Sequence, residues 1–379
     1  MDLVVDANEL DKLIRGKNIN FLIGAGASVP MYPSLSFGEN SPSFEDVASH
    51  ANISKQAKLF LYIYYFLHWI EPMGITGEEF RSTYSNNEVF LNYKRLVNNF
   101  YNYLQCESNE NPKRINVFTT NYDLLFERAF DDFLFNNPLM YFNDGSRGVF
   151  TKYVSNKNFY LNVTHSGYND NYRREVPTVN LLKLHGSLSW KLFKDKIIVN
   201  ENNDIILKIK NAVNELQINL EFVENVIIKS KNEDVDTFVE SLNKSVSEIG
   251  LNNELLDKFY DVYSDLPIIN PNKYKFFETV SEQHYYQLIR SFSYELERKQ
   301  AILIVFGFSF ADEHIRDIFE RSLLNPELQV ILISYDEEGQ KNMKKMFGGY
   351  KNIVFLPENF NDCKGNFDYL LSLLGDRDE

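Results

Sequence analysis

The sequence predicts an α/β fold: a mostly parallel sheet with helices on both faces, plus helical insertions. Three observations carry this reading. Short unbroken apolar runs, such as Phe21-Leu22-Ile23 and Ala301 to Phe306, suit strands buried on both faces. Segments with apolar residues at helical spacing separate them. Several of the runs stop at a corner containing glycine, where a strand would hand over to a helix. The expected organisation is a single domain over 1–379, interrupted by helical insertions at 44–112 and 201–265.

Composition narrows the function classes. With 379 residues, 44% of them hydrophobic, the chain can bury a sizeable core. A net charge of −14 argues against general attraction to a phosphate backbone, so no direct nucleic-acid site is expected. Two cysteines, Cys106 and Cys363, build neither a disulfide framework nor a Cys-rich zinc module, so no metal site is expected. They fit a reducing, cytoplasmic setting. The N-terminal segment is acidic and lacks the order of a signal peptide.

Taken in order, Asp6 to Arg15 predicts a short helix with Leu10, Leu13 and Ile14 on one side. The first strand ends in Gly24-Ala25-Gly26-Ala27-Ser28, where glycine lets the main chain turn tightly and be approached closely. A third glycine of the G-x-G-x-x-G pattern would fall at Val29, and Pro30 and Pro33 keep a helix from starting straight after the turn. The Pro- and Ser-rich stretch from Met31 to Ser43 is a candidate mobile cover over a ligand.

Lys58 to Ile70 is almost wholly apolar, yet shorter than the roughly 20 residues a membrane span needs. It predicts a buried helix or subunit contact, with His68 as a core histidine. Val89 to Leu104 predicts a scaffold helix. Ile115 to Phe118 predicts a second buried strand, running into Thr119-Thr120-Asn121-Tyr122-Asp123 and a further helix. Asp123 could cap that helix and Asn121 could simply make the turn; both also suit ligand contact.

Leu139 to Asn200 predicts hairpins and irregular loops around one more apolar strand, Val179 to Leu184, which ends in His185-Gly186-Ser187. Asp204 to Ser264 is acidic and helical, with Leu216, Leu220, Val223 and Ile227 on one stripe, and Phe277 to Leu296 predicts another amphipathic helix. The strand Ala301 to Phe306 ends in Gly307-Phe308-Ser309-Phe310-Ala311-Asp312, a corner able to offer backbone N–H groups to a phosphate. Val330 to Ser334 and Asn352 to Leu356 complete the sheet.

Singly these corners are ordinary. As an ordered set, Gly-Ala-Gly-Ala-Ser, Thr-Asn-Tyr-Asp, Lys-Leu-His-Gly-Ser and Gly-Phe-Ser-Phe resemble the sirtuin-like family, and more closely its bacterial branch in antiphage defence. The resemblance runs from Ile19 to Leu356 and is weakest in the insertions. It implies a Rossmann-like sheet that binds NAD. Gly24, Ala25, Gly26 and Ser28 would surround the pyrophosphate and nearby ribose, and Thr120, Asn121 and Asp123 would sit at the nicotinamide ribose. Gly307 and Ser309 would hold the adenosine side. Asn121 and His185 would be catalytic, with His185 as general base. The cysteine pair and the sequence after the glycine turn depart from the protein-deacylating sirtuins, which puts peptide binding in doubt.

What the resemblance leaves is an NAD+ glycohydrolase. NAD+ would be a consumed substrate rather than a cofactor, and its depletion would serve antiphage defence. The implied assembly is a homo-oligomer, paired with a HerA-type ring ATPase. The rival reading is an NAD- or ADP-ribose-binding regulatory or structural subunit of a defence complex without turnover.

Overall fold

The computed structural model describes residues 7–33, 35–38, 41–108, 110–111, 113–194, 196–200, 203–270, 283–361 and 363–375. Seven strands form its central sheet: β1 (Asn18–Ile23), β2 (Arg114–Thr119), β3 (Tyr141–Asn143), β4 (Thr178–Lys183), β5 (Ala301–Phe306), β6 (Gln329–Ile333) and β7 (Ile353–Leu356). All pairings are parallel, in the order β7-β6-β5-β1-β2-β4-β3. The chain winds outward from β1 through β2 to β4, then returns to β5 on the other flank of β1. This is a Rossmann-like α/β arrangement, and the reversal between β1 and β5 places a crevice at their carboxyl ends.

The apolar runs are explained by coverage on both faces. Ile19, Phe21 and Ile23 pack against helices α4 (Glu88–Cys106) and α5 (Leu125–Asn136), through Tyr93, Phe100 and Phe126. Leu22, Phe118, Leu182 and Leu303 face the opposite core, built on α10 (Gln283–Leu296) and α11 (Glu313–Ser322). Each such large apolar side chain contributes roughly 1.5–3 kcal/mol on burial.

One polar rung crosses this apolar sheet. Asn20, Asn116, Asn180 and Asn143 stand in register on β1, β2, β4 and β3. Asn143 Nδ2 donates to Asn180 Oδ1 (2.9 Å), Asn180 Nδ2 to Asn116 Oδ1 (2.8 Å), and Asn116 Nδ2 to Asn20 Oδ1 (2.9 Å). Asn20 Nδ2 finishes the chain on the Ile302 carbonyl. A buried amide without a partner costs about 1–3 kcal/mol, so this set is tolerated because each member satisfies the next.

A third core lies in a helical lobe. Helices α2 (Phe44–Ala48) and α3 (Lys55–Tyr65) pack with α6 (Asp204–Glu215), α7 (Leu220–Ser230), α8 (Val235–Ile249) and α9 (Asn253–Tyr263). Ser54, Asn219, Asp234 and Asn252 accept an otherwise unpaired N–H at the starts of α3, α7, α8 and α9. The two segments expected as separate insertions thus share one apolar core. Within 44–112, α4 instead covers the sheet, because its stripe of Tyr93, Leu96, Val97 and Phe100 meets the sheet residues.

Several expectations need correction. Tyr141–Asn143 lies in the region read as hairpins, yet joins the parallel sheet as β3; three residues are too few to show a period. A 3-10 turn, Ala25–Ser28, follows Gly24 at once, and the next helix waits until Phe44. His68 is not a core histidine: its side chain is 25% exposed and Nδ1 meets Glu224 at 3.0 Å. In the stretch from Met31 to Ser43, Phe37 is buried against Phe44, Tyr64 and Phe238, while Trp69 Nε1 donates to the Pro33 carbonyl. Residues 34, 39 and 40 of that stretch, and 277–282 of the expected helix, lie outside the described residues. Among the described residues, no helix is long and apolar enough to cross a membrane.

Candidate functional site

The four corners end on four adjacent strands, β5, β1, β2 and β4, at the same carboxyl edge. Gly24 N donates to the Phe306 carbonyl (3.0 Å), and Leu184 N to the Thr119 carbonyl (2.8 Å), so strand pairing continues to the strand tips.

Gly24 and Gly26 meet Gly307 across the point where winding reverses. A Cβ on Gly24 would lie 2.5 Å from the Gly307 carbonyl oxygen, and one on Gly26 would lie 2.9 Å from Gly307 Cα. Gly307 itself has φ of +63°, and Gly26 N donates to its carbonyl at 2.9 Å. The side on which these glycines lack a Cβ is therefore filled by the chain's own second corner. Ala25 and Gly26 are exposed, as is Ser309, while Phe308 and Phe310 beside it turn inward and hold the corner edge to face at 5.0 Å.

Beside this contact lies a buried polar cluster. Ser28 Oγ donates to Asp123 Oδ2 at 2.8 Å. Its one proton is then spent, so the Tyr93 hydroxyl, 3.0 Å away, is the donor to Ser28. Burial and the nearby Asp123 charge push Tyr93 well above the ordinary phenol value, which keeps that proton in place. Asn121 Nδ2 donates to the Gly24 carbonyl (3.1 Å) and to Ser28 Oγ (3.2 Å). Its Oδ1 is buried without a hydrogen-bond partner among the described residues. Asp123 is not the cap of α5, whose cap position is Leu124 without a side-chain bond; its Oδ1 accepts Leu125 N at 3.1 Å in a turn just ahead of the helix. Thr120 is half-buried at the tip of β2.

Lys183, the last residue of β4, fixes the Asn121–Asp123 turn from below. Its buried ammonium meets Glu127 Oε1 at 2.9 Å and donates to the Asp123 carbonyl. Burial raises Glu127 above the ordinary carboxyl value, and Lys183 opposes that rise. Sequence reading missed this pair; the signal was a lysine closing a strand otherwise buried throughout.

His185 follows on β4 and is 3% exposed. Its carbonyl accepts Ile269 N at 2.9 Å, and Tyr122 Oη donates to the Ile269 carbonyl at 2.7 Å. Gly186, with φ of +94°, is required because a Cβ there would strike the Pro267 carbonyl oxygen at 2.1 Å. His185 Nε2 lies 3.2 Å from Nε2 of His314, on the first turn of α11. Asp312 completes a trio whose donor atoms all lie within 4.8 Å of one another. No such set was expected. Its signal is the Asp-x-His spacing just past the Gly307 corner.

The structure thus brings Gly24, Gly26, Ser28, Asn121, Asp123 and Gly307 into one contact network, with His185 on the neighbouring strand tip. Ala25, Thr120 and Ser309 border that network.

Residues 115–219 match the family model of the SIR2-like domain, a family that includes NAD-dependent enzymes. The match contains Asn121, Asp123, Lys183 and His185. It lies outside the Gly24 and Gly307 corners, which the fold itself brings beside it. No curated protein matches the chain.

Proposed function

We propose that this chain is an NAD+ glycohydrolase, cleaving the nicotinamide–ribose bond to give nicotinamide and ADP-ribose. The observation that carries the reading is the placing of Asn121, with its unpartnered Oδ1, and His185 on adjacent strand tips of a Rossmann-like sheet, both inside the SIR2-like match.

In this reading Asn121 Oδ1 accepts a ribose hydroxyl and fixes the sugar. Ser28, Asp123 and Tyr93 hold the carboxamide so that Oδ1 faces the site. Nicotinamide is cationic in NAD+ and departs as a neutral base with the bonding electron pair, so it needs no acid. Positive charge develops on the ribose, in an oxocarbenium-like transition state. A water oxygen forms the new bond to the anomeric carbon, and its proton passes to His185. The wider role we infer, from the family resemblance, is NAD+ depletion in antiphage defence. There the chain works as an oligomer beside a HerA-type ring ATPase.

The test is nicotinamide release from NAD+ by the full chain, alone and with such an ATPase. Asn121→Ala and His185→Ala should each lose about 10²–10⁴-fold in rate while keeping the native circular dichroism. Full activity in either folded variant refutes the assignment.

A further inference from the structure

The trio of His185, Asp312 and His314 has a geometry that the hydrolytic reading does not need. His185 and His314 turn their Nε2 corners toward each other at 3.2 Å, with ring planes 33° apart. Two ring nitrogens at that distance cannot both present bare lone pairs. Either a proton or a cation lies between them.

A proton on one ring makes this contact a hydrogen bond, and Asp312 supplies the third donor that a cation would need. A shared proton sits on the line between the nitrogens and satisfies two groups. Here one carboxylate oxygen and one ring nitrogen from each histidine lie within 4.8 Å of one another, so three donor atoms converge. Asp312 stands immediately before α11, two residues ahead of His314. Tetrahedral zinc with Zn–N bonds of about 2.0–2.1 Å sets two imidazole nitrogens about 3.4 Å apart, close to what is found. A small inward movement of the carboxylate completes a two-histidine, one-carboxylate face, a set that suits first-row divalent transition metals.

We propose that His185, Asp312 and His314 form a binding site for a divalent transition-metal ion of the zinc class. The ligands come from the tip of β4 and from the start of α11, which follows β5; β4 and β5 are separated in the sheet by β1 and β2. The ion therefore ties the His185 corner to the Gly307 corner across the whole candidate site. A metal-bound imidazole has no lone pair left for a proton at that nitrogen. Occupancy would thus switch off the hydrolysis proposed above. This regulatory consequence rests on that reading; the metal site itself does not.

The probe is Co²⁺ added to chelator-stripped full-length protein. One ion per chain, a visible d–d absorption of low-symmetry cobalt and a higher melting temperature are expected, with Zn²⁺ displacing the colour. His314→Ala and the more conservative His314→Gln should each weaken binding at least tenfold. No absorption in wild type, or equal binding by a folded His314 variant, overturns the site. Nicotinamide release is then measured with and without Zn²⁺. Inhibition of wild type but not of His314→Gln supports the switch, and equal inhibition of both overturns it. Cobalt binding by a protein that never releases nicotinamide would retain the metal site and remove the hydrolase.

Discussion

The two edges of the parallel sheet differ in what they leave unsatisfied. The amino edge holds a cavity of about 150 Å³, lined by Asn18, Lys113, Arg114, Glu175, Glu295 and Arg298. Arg298 there meets Glu295 at 3.0 Å, and Arg114 donates to Asn162 and to the Leu161 carbonyl. The hollow is also smaller than the roughly 300–1,000 Å³ of ordinary ligand pockets. At the carboxyl edge the corners are drawn tightly together, yet the buried Asn121 Oδ1 lacks a hydrogen-bond partner among the described residues. Open space marks one edge and a buried carboxamide oxygen without a partner marks the other. The second is the better guide here, because a buried polar atom is costly unless something comes to meet it.

The strongest way to break this contrast is kinetic. Arg298→Ala at the amino edge should leave nicotinamide release unchanged, against the loss of about 10²–10⁴-fold expected for Asn121→Ala. A reversed result in folded proteins would move the site to the other edge. Next in size is Lys183→Met. It strands Glu127 and the Asp123 carbonyl in a buried setting, and should cost about 3–5 kcal/mol in urea unfolding. A loss below about 1 kcal/mol would show that the Asn121 turn needs no support from beneath.

A third test separates stability from chemistry by pH. Burial pushes His284 down from 6.5 to about 4, and its Nε2 has no hydrogen-bond partner among the described residues. Between these values the unfolded chain takes up a proton that the folded chain refuses. Stability is therefore complete above pH 6.5 and falls as the pH drops toward 4, by roughly 3 kcal/mol. His284→Leu should flatten that part of the curve; an unchanged slope would assign it to other groups. The smallest expected effect is on the stability of Arg298→Ala, within about 1 kcal/mol because its ion pair is exposed.

The sheet and its corners were legible because strands covered on both faces read as apolar runs, and glycine marks where such runs must turn. The order of the corners named the candidate residues, which the fold gathers at one rim. What escaped reading was long-range. The Asp-x-His spacing marks a pair of donors, but not that His314 meets His185 at 129 residues' separation. Asn143 looks like a loop residue until Asn180 comes beside it. The mutual approach of Gly24 and Gly307, each leaving room for the other, is likewise invisible locally. The lobe core joins α3 to α8 and α9, a pairing that no local period can encode.

The asparagine rung also serves as a datum for length. Gly24 lies four residues beyond Asn20, Thr120 four beyond Asn116, and Leu184 four beyond Asn180; Gly307 lies four beyond Leu303, which pairs with Asn20. The tips of four strands are thereby levelled against one line of amides. One residue inserted between Asn116 and Asn121 would displace Asn121 by about 3.3 Å and turn the remaining side chains of that strand to the opposite face. An insertion in the lobe changes nothing on that scale. Chain length is thus held strictly over a few residues of each central strand and is free elsewhere, which explains how so large a helical lobe can interrupt the sheet without disturbing the alignment at its rim.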